Sequence, residues 1–201
     1  MYKVLLYIPV YRSCAIARAK WHLQKDKGFE LDLYVMDWTP YPGENAYKNL
    51  DEKNELARRI AIIGWYDYLW IVEDDIVLPC NALSRLLEVN ADCVVGLYRG
   101  RPEHWGTDRL SVRIADPNGP QDADDRPLEL KDIPADNPVV RCTGIALGCT
   151  LLHRKLFNML EGVIGRDYEV SKRFQENGVS MLCHTWVRCG HIDKKGEIIE
   201  V

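Results

Sequence analysis

Apolar positions along this chain recur at two different periods, and the alternation between them predicts the elements. Lys3 to Pro9 reads as a strand, and Ser13 stands where a cap opens a helix over Cys14 to about Lys25, which Gly28 stops. Glu30 to Met36 alternates as a second strand ending at Asp37. After a loop marked by Pro40, Pro42 and Gly43, a helix is predicted from about Tyr47 to Gly64, with Leu50, Leu56, Ile60 and Ile63 able to line one face. Tyr68 to Val72 is a short apolar run of buried-strand type. Pro79 to Val89 follows as a helix with Leu83, Leu86 and Leu87 inward, then Asp92 to Leu97 as a strand. This β-α-β-α-β-α-β order predicts an α/β fold: a mostly parallel central sheet flanked by helices.

From Arg101 to Pro138 the periodicity fails. Pro102, Pro117, Pro120, Pro127, Pro134 and Pro138 punctuate an acidic stretch, readable either as a lid or as a surface insertion. Order resumes at Val139, where Gly144 and Gly148 allow close backbone approach or a bend. Thr150 to His153 reads as a strand and Arg154 to about Leu160 as a helix. A further helix runs from Asp167 to about Asn177, amphipathic through Val170, Phe174 and Tyr168. Val179 to Cys183 and Thr185 to Cys189 read as two short strands. The expected organisation is one domain over 1–201, with a first half over 1–100, an irregular acidic insertion over 101–138 and a second half over 139–201.

Candidate chemistry is densest just after the third predicted strand, where Glu73, Asp74 and Asp75 stand together. Three adjacent carboxylates repel one another, and partial desolvation adds to the cost. A hard divalent cation such as Mg²⁺ or Mn²⁺ would relieve it, and strand ends in an open α/β sheet are where ligands bind. The alternative is a solvated acidic turn. In a doubly wound sheet the ends at Pro9-Val10-Tyr11, Asp37 and Glu73-Asp74-Asp75 share one crevice.

Composition narrows the class. The 201 residues are 47% hydrophobic and 28% charged, which suits a globular domain with a substantial core. The formal net charge is −4, and the nine acids and five bases between Arg101 and Val140 account for all of it. No basic footprint for nucleic acid shows in that count. No apolar run approaches the ~18 residues of a membrane span, and the strand-like N-terminus does not resemble a signal peptide, so a cytoplasmic location is expected. Seven cysteines, none spaced Cys-x-x-Cys, indicate neither a disulfide framework nor a zinc ribbon. The group Cys183, His184, Cys189 and His191 matches no common zinc spacing.

Three separated segments now bear on identity. They are Ile-Pro-Val-Tyr in the first strand, the run from Tyr68 to Pro79, and Gly165 to Gly178 followed by Val-Arg-Cys-Gly-His191-Ile. In order and spacing they resemble GT-A-fold (Rossmann-like) glycosyltransferases, nearest in look to the small family-2-like enzymes of bacteria and phages. The resemblance implies that Glu73 and Asp75 occupy the acidic motif that binds a divalent metal, Mn²⁺ or Mg²⁺, and the diphosphate of a nucleotide-sugar, with Asp74 beside them. It implies that His191 completes the metal site, that Asp37 contacts the nucleoside, and that Pro9, Val10 and Tyr11 surround the base. Asp167 matches the general base of inverting members, although Arg166 replaces the Glu that precedes it there.

The implied donor is a nucleoside-diphosphate sugar, UDP-linked by preference. The acceptor stays open among a glycan, a lipid-linked sugar, a protein and a modified DNA base. Two other functional readings stand beside it: a nucleotidyltransferase using carboxylate-bound metal, and a non-catalytic nucleotide-sugar-binding protein. Against the first, Pro-Val-Tyr-Arg-Ser follows the first strand where a Gly-rich phosphate loop would be expected. Local alternatives also remain. Asp167 is placed to cap its helix, His191 to lie on the surface, and Asp37 to form an Asx-turn. Asn54 and Arg58, one helical turn apart, read either as facing the crevice or as a solvated helix face. His104 and Trp105 read either as stacking on a sugar or acceptor or as local packing of the insertion.

Overall fold

Nine residues, Tyr2–Val10, buried without a break from Val4 onward, form β1, the second strand of the sheet. In the computed structural model, residues 1–10, 28–37, 46–100, 109–115 and 125–201 are described. The helix expected over 14–25, its cap Ser13, the loop at Pro40–Gly43, and His104 and Trp105 lie outside them. β2 is Phe29–Asp37 and pairs with β1 in parallel along its whole length. Helix α1 is Ala46–Ile63, and β3 is Tyr68–Val72, parallel to β1 on its other side. A two-residue strand β4, Ile76–Val77, precedes helix α2, Ala82–Glu88, and then β5, Cys93–Leu97.

Beyond β5 the described chain forms β6, Val112–Ile114, and β7, Arg126–Pro127. A single 3-10 turn, Leu130–Asp132, leads to β8, Val139–Cys142, β9, Gly144–Ile145, and β10, Cys149–His153. Helix α3 is Asp167–Glu176, and the last strands are β11, Met181–Arg188, β12, Gly190–Ile192, and β13, Ile198–Ile199.

The central sheet has seven strands in the order β2-β1-β3-β10-β5-β11-β8. It is mixed rather than mostly parallel in its pairings, because β10 runs antiparallel to both β3 and β5, and β8 antiparallel to β11. The β-α-β pattern of the first hundred residues could not show this, since the strand that separates β3 from β5 comes from far along the chain. Five strands (β1, β2, β3, β5 and β11) still point the same way.

Alternate residues of β3 enter different cores. Leu69 and Ile71 join α1, α3 and the turns after β10, while Tyr68, Trp70 and Val72 join α2 and β4. Both faces of the sheet are therefore buried, which explains why β3 reads as a continuous apolar run.

Several elements differ from expectation. In α1 the buried face is Asn54, Ala57, Arg58 and Ala61; of the expected face Ile60 packs against the core, Leu56 and Ile63 are 44% and 77% exposed, and the Leu50 side chain lies outside the described residues. The two alanines let the helix lie close on the sheet. The polar pair is buried because each member finds partners: Asn54 3% exposed under the Tyr7 hydroxyl (2.8 Å), and Arg58 5% exposed, donating to the Phe157 carbonyl (3.0 Å) and pairing with Glu55. Hydrophobic periodicity does not register such partners.

Arg154–Leu160 is not an α-helix but two 3-10 turns, Arg154–Leu156 and Asn158–Leu160, tightened by bonds three residues back. Tyr168 of α3 faces out. The two short strands expected near the C-terminus are one strand, β11, whose register on β5 shifts between His184 and Arg188. Within 101–138, the described residues include β6 and β7, which form a small antiparallel sheet with β9, and Leu110, Val112 and Leu128 are buried in the main core.

Candidate active site at the strand ends

The register of the parallel strands collects their carboxyl ends on one edge. Val10 lies opposite Asp37, and Tyr7 opposite Ile71, so Pro9 and Val10, the backbone of Asp37 and the turn after Val72 are neighbours there. Tyr11 lies outside the described residues. β5 ends on the same edge, delivering Tyr98 and Arg99 to it.

At the end of β3 the chain turns sharply. The Ile76 amide donates to the Glu73 carbonyl (3.0 Å), so Glu73, Asp74 and Asp75 ride one tight turn into β4. Asp74 and Asp75 are buried and Glu73 half-buried. β4 pairs with β12, placing Ile76 opposite His191, and the Ile192 amide donates to the Asp75 carbonyl (2.8 Å). A hairpin from the far end of the sequence thus lays His191 on the acidic turn, its Nε2 3.5 Å from Asp75 Oδ2.

The tautomer follows from the other nitrogen. Nδ1 is 2.7 Å from the Arg99 carbonyl, which can only accept, so Nδ1 carries the hydrogen and Nε2 is the atom turned to Asp75. Tyr98 packs edge-on against the imidazole, centroids 5.5 Å apart at 80°. His191 is therefore buried and held on three sides, not a surface residue.

Beside this pair runs a strap of backbone, Leu147-Gly148, just before β10. The Leu147 amide donates to Asp167 Oδ1 (3.2 Å), the Gly148 amide to the Tyr98 hydroxyl (3.1 Å), and the Glu73 amide to the Gly148 carbonyl (3.0 Å). Gly148 is required by this approach: a Cβ there would lie 2.6 Å from Tyr98 Oη and 3.2 Å from Glu73 Oε2.

Asp167 is the first residue of α3 and not its cap. That position belongs to Arg166, whose side chain makes no capping bond but joins Asp51 of α1 and Glu169. Burial pushes the Asp167 carboxyl up to about 6, against the lowering effect of the amides it accepts from. Burial, then the charges of Glu73 and Asp167, hold the Tyr98 phenol well above its usual value.

The residues present fit a divalent cation in part. Asp75 and His191 offer one carboxylate oxygen and one imidazole nitrogen of fixed tautomer, two donors that a divalent cation could share. Among the described residues no three of Asp, Glu, His and Cys gather as a metal-holding group, and Glu73 lies beside Tyr98 and Gly148. Of the alternative zinc group, Cys183 and Cys189 belong to the two cores on opposite faces of the sheet. Tyr98 and Gly148 complete the edge. Tyr98 carried a readable signal, since it directly follows the end of a parallel strand.

The class this arrangement defines is an α/β protein with a mixed sheet and an acidic turn at the carboxyl ends of its parallel strands. No family model and no curated protein matches the chain, but solved structures share its fold. A197 from STIV superposes with a TM-score of 0.60 at 14% identity, over 98% of this chain and 93% of that one. A UDP-glucose pyrophosphorylase complexed with UDP-glucose gives 0.52 at 10% identity, over 92% of this chain and 90% of that one. A UTP-bound UGPase from Acinetobacter baumannii gives 0.50 at 7% identity, over 92% and 86%. No helix among the described residues is long and apolar enough to cross a membrane.

Proposed function

We propose that this protein is a metal-dependent glycosyltransferase that binds a nucleoside-diphosphate sugar, UDP-linked by preference, at the carboxyl edge of β1, β2 and β3. The observation that carries the reading is the meeting of Asp75 and His191 from opposite halves of the chain, with the imidazole tautomer set by Arg99. Asp75 and His191 would hold Mn²⁺ or Mg²⁺, with Glu73 and Asp74 on the same turn beside the diphosphate; the ion supplies Lewis-acid stabilisation of the departing nucleoside diphosphate. Pro9, Tyr11 and Asp37 belong to the strand ends where the nucleoside would lie.

Residues 1–100 then form the donor half, and 139–201 completes the metal site and shapes the acceptor side. In an inverting displacement the acceptor oxygen attacks the anomeric carbon, the bond to the diphosphate oxygen breaks, and Asp167 takes the acceptor proton. A carboxylate raised to about 6 is a better match to neutral pH for that task than an ordinary one. Glycans, lipid-linked sugars, proteins and hydroxylated DNA bases are the acceptor classes to screen.

A second reading, nucleotidyl transfer, is favoured by the fold shared with proteins solved with UDP-glucose and UTP. The two separate in one assay. The protein is incubated with UDP-, GDP- and TDP-sugars, and separately with UTP plus sugar 1-phosphates, each with and without Mn²⁺. Release of free sugar and nucleoside diphosphate supports the first reading; release of pyrophosphate supports the second. No turnover, together with no metal-dependent thermal shift by any nucleotide, refutes both.

A further inference from the structure

We propose that Tyr98 is a positioning residue of the sugar-transfer site, whose hydroxyl holds the Leu147-Gly148 strap so that the metal-side turn and Asp167 keep a fixed separation; this rests on the glycosyltransferase reading above. Three groups converge on two consecutive residues of backbone. Asp167 takes the Leu147 amide, Tyr98 takes the Gly148 amide, and the Glu73 amide binds the Gly148 carbonyl. The strap is hydrogen-bonded both to Asp167 and to the metal-side turn.

Of these contacts the one from Tyr98 is central. Its ring packs edge-on against His191 and its buried oxygen takes the Gly148 amide, so one side chain joins the metal side to the strap. The hydroxyl oxygen accepts from the Gly148 amide, and its own O–H is left to donate. Phenylalanine could provide the ring packing alone. The oxygen is what ties the strap down, and Gly148 lies so close to it that a Cβ there would stand 2.6 Å away.

The test is Tyr98→Phe, which keeps the ring on His191 and removes the oxygen. The wild type and the variant are compared for UDP binding with Mn²⁺ by calorimetry, and for kcat and KM on whichever UDP-sugar the wild type consumes. Loss of one buried hydrogen-bond partner predicts a fall in kcat of about 10- to 100-fold, with KM and the UDP affinity within about twofold, because ground-state binding at the strand ends is left in place. Unchanged kcat, or a loss of UDP–Mn²⁺ affinity as large as the loss of kcat, overturns the positioning role.

If Tyr98→Phe does not fold, Gly148→Ala carries the test, since its Cβ displaces the hydroxyl from the strap without removing it, and the same kcat-selective loss is expected. A wild type that binds UDP with Mn²⁺ but consumes no donor overturns the sugar-transfer reading and this role with it. A wild type that works beside an equally active, folded Tyr98→Phe overturns the role alone.

Discussion

Replacing Asp167 by Asn should make the protein more stable at neutral pH while removing the proposed sugar transfer. The substitution keeps shape and keeps an oxygen to accept the Leu147 amide, so what it removes is the half-buried charge. The carboxyl is raised from 3.8 to about 6, chiefly by burial. The unfolded chain thus ionises near 3.8 and the folded one near 6, and between those values the folded state holds a proton that the unfolded state lacks. Stability from this group therefore falls as pH rises through that window, and the full cost stands at pH 7.

At ~1.4 kcal/mol per tenfold change in proton affinity the ceiling is about 3 kcal/mol, and screening of a half-buried group brings this to ~1–2 kcal/mol. For a domain of this size that is a rise in Tm of ~2–8 °C. The assay is urea or thermal unfolding of both proteins from pH 4 to 8. The stability difference should open between pH 4 and 6 in favour of the variant and then hold level. Parallel curves across the whole range would show that Asp167 is neither buried nor raised, and with it the argument for a poised base would fail.

Other outcomes follow from the same geometry. Asp75→Asn and His191→Ala should each abolish the thermal shift produced by Mn²⁺ with UDP, measured by scanning fluorimetry, while circular dichroism stays that of the wild type; a retained shift in either would remove that residue from the metal site. Gly165→Ala should be severely destabilising, by roughly 3 kcal/mol or more, because its φ is +95° and the new Cβ would stand 1.9 Å from Asn54 Nδ2; a denaturation midpoint within error of wild type would show that α1 and this turn do not pack as described. Ile63→Lys should be nearly silent in the same measurement, and Asn54→Leu should cost about 1–3 kcal/mol by stranding the Tyr7 hydroxyl; the reverse ranking would restore the helix face read from hydrophobic periodicity.

The strands were largely legible in the sequence. β1, β2, β3 and β5 lie within a residue or two of where alternation and β-branched runs place them; β3 and β5, buried on both faces, demand such runs, and the edge strand β2 alternates. The placing of Glu73, Asp74 and Asp75 at a strand's carboxyl end was legible too, since it needs only the order of residues. The inward face of α1 was not. Asn54 and Arg58 are buried by partners on β1 and on the turns after β10, which local pattern cannot supply. Nor could the sequence show that the acidic triplet divides, with Asp75 going to His191 and Glu73 to the strap beside Tyr98.

What the sequence determined by itself, then, is an α/β chain with carboxylates at a strand end, because periodicity and turn chemistry act over a few residues. What only the tertiary structure decided is the company those carboxylates keep. The antiparallel β10 carries Gly148 to Glu73, and the β4–β12 pairing carries His191 to Asp75. These are contacts between distant parts of the chain, set by sheet register and by which surfaces can be buried together, and no window of neighbouring residues contains them.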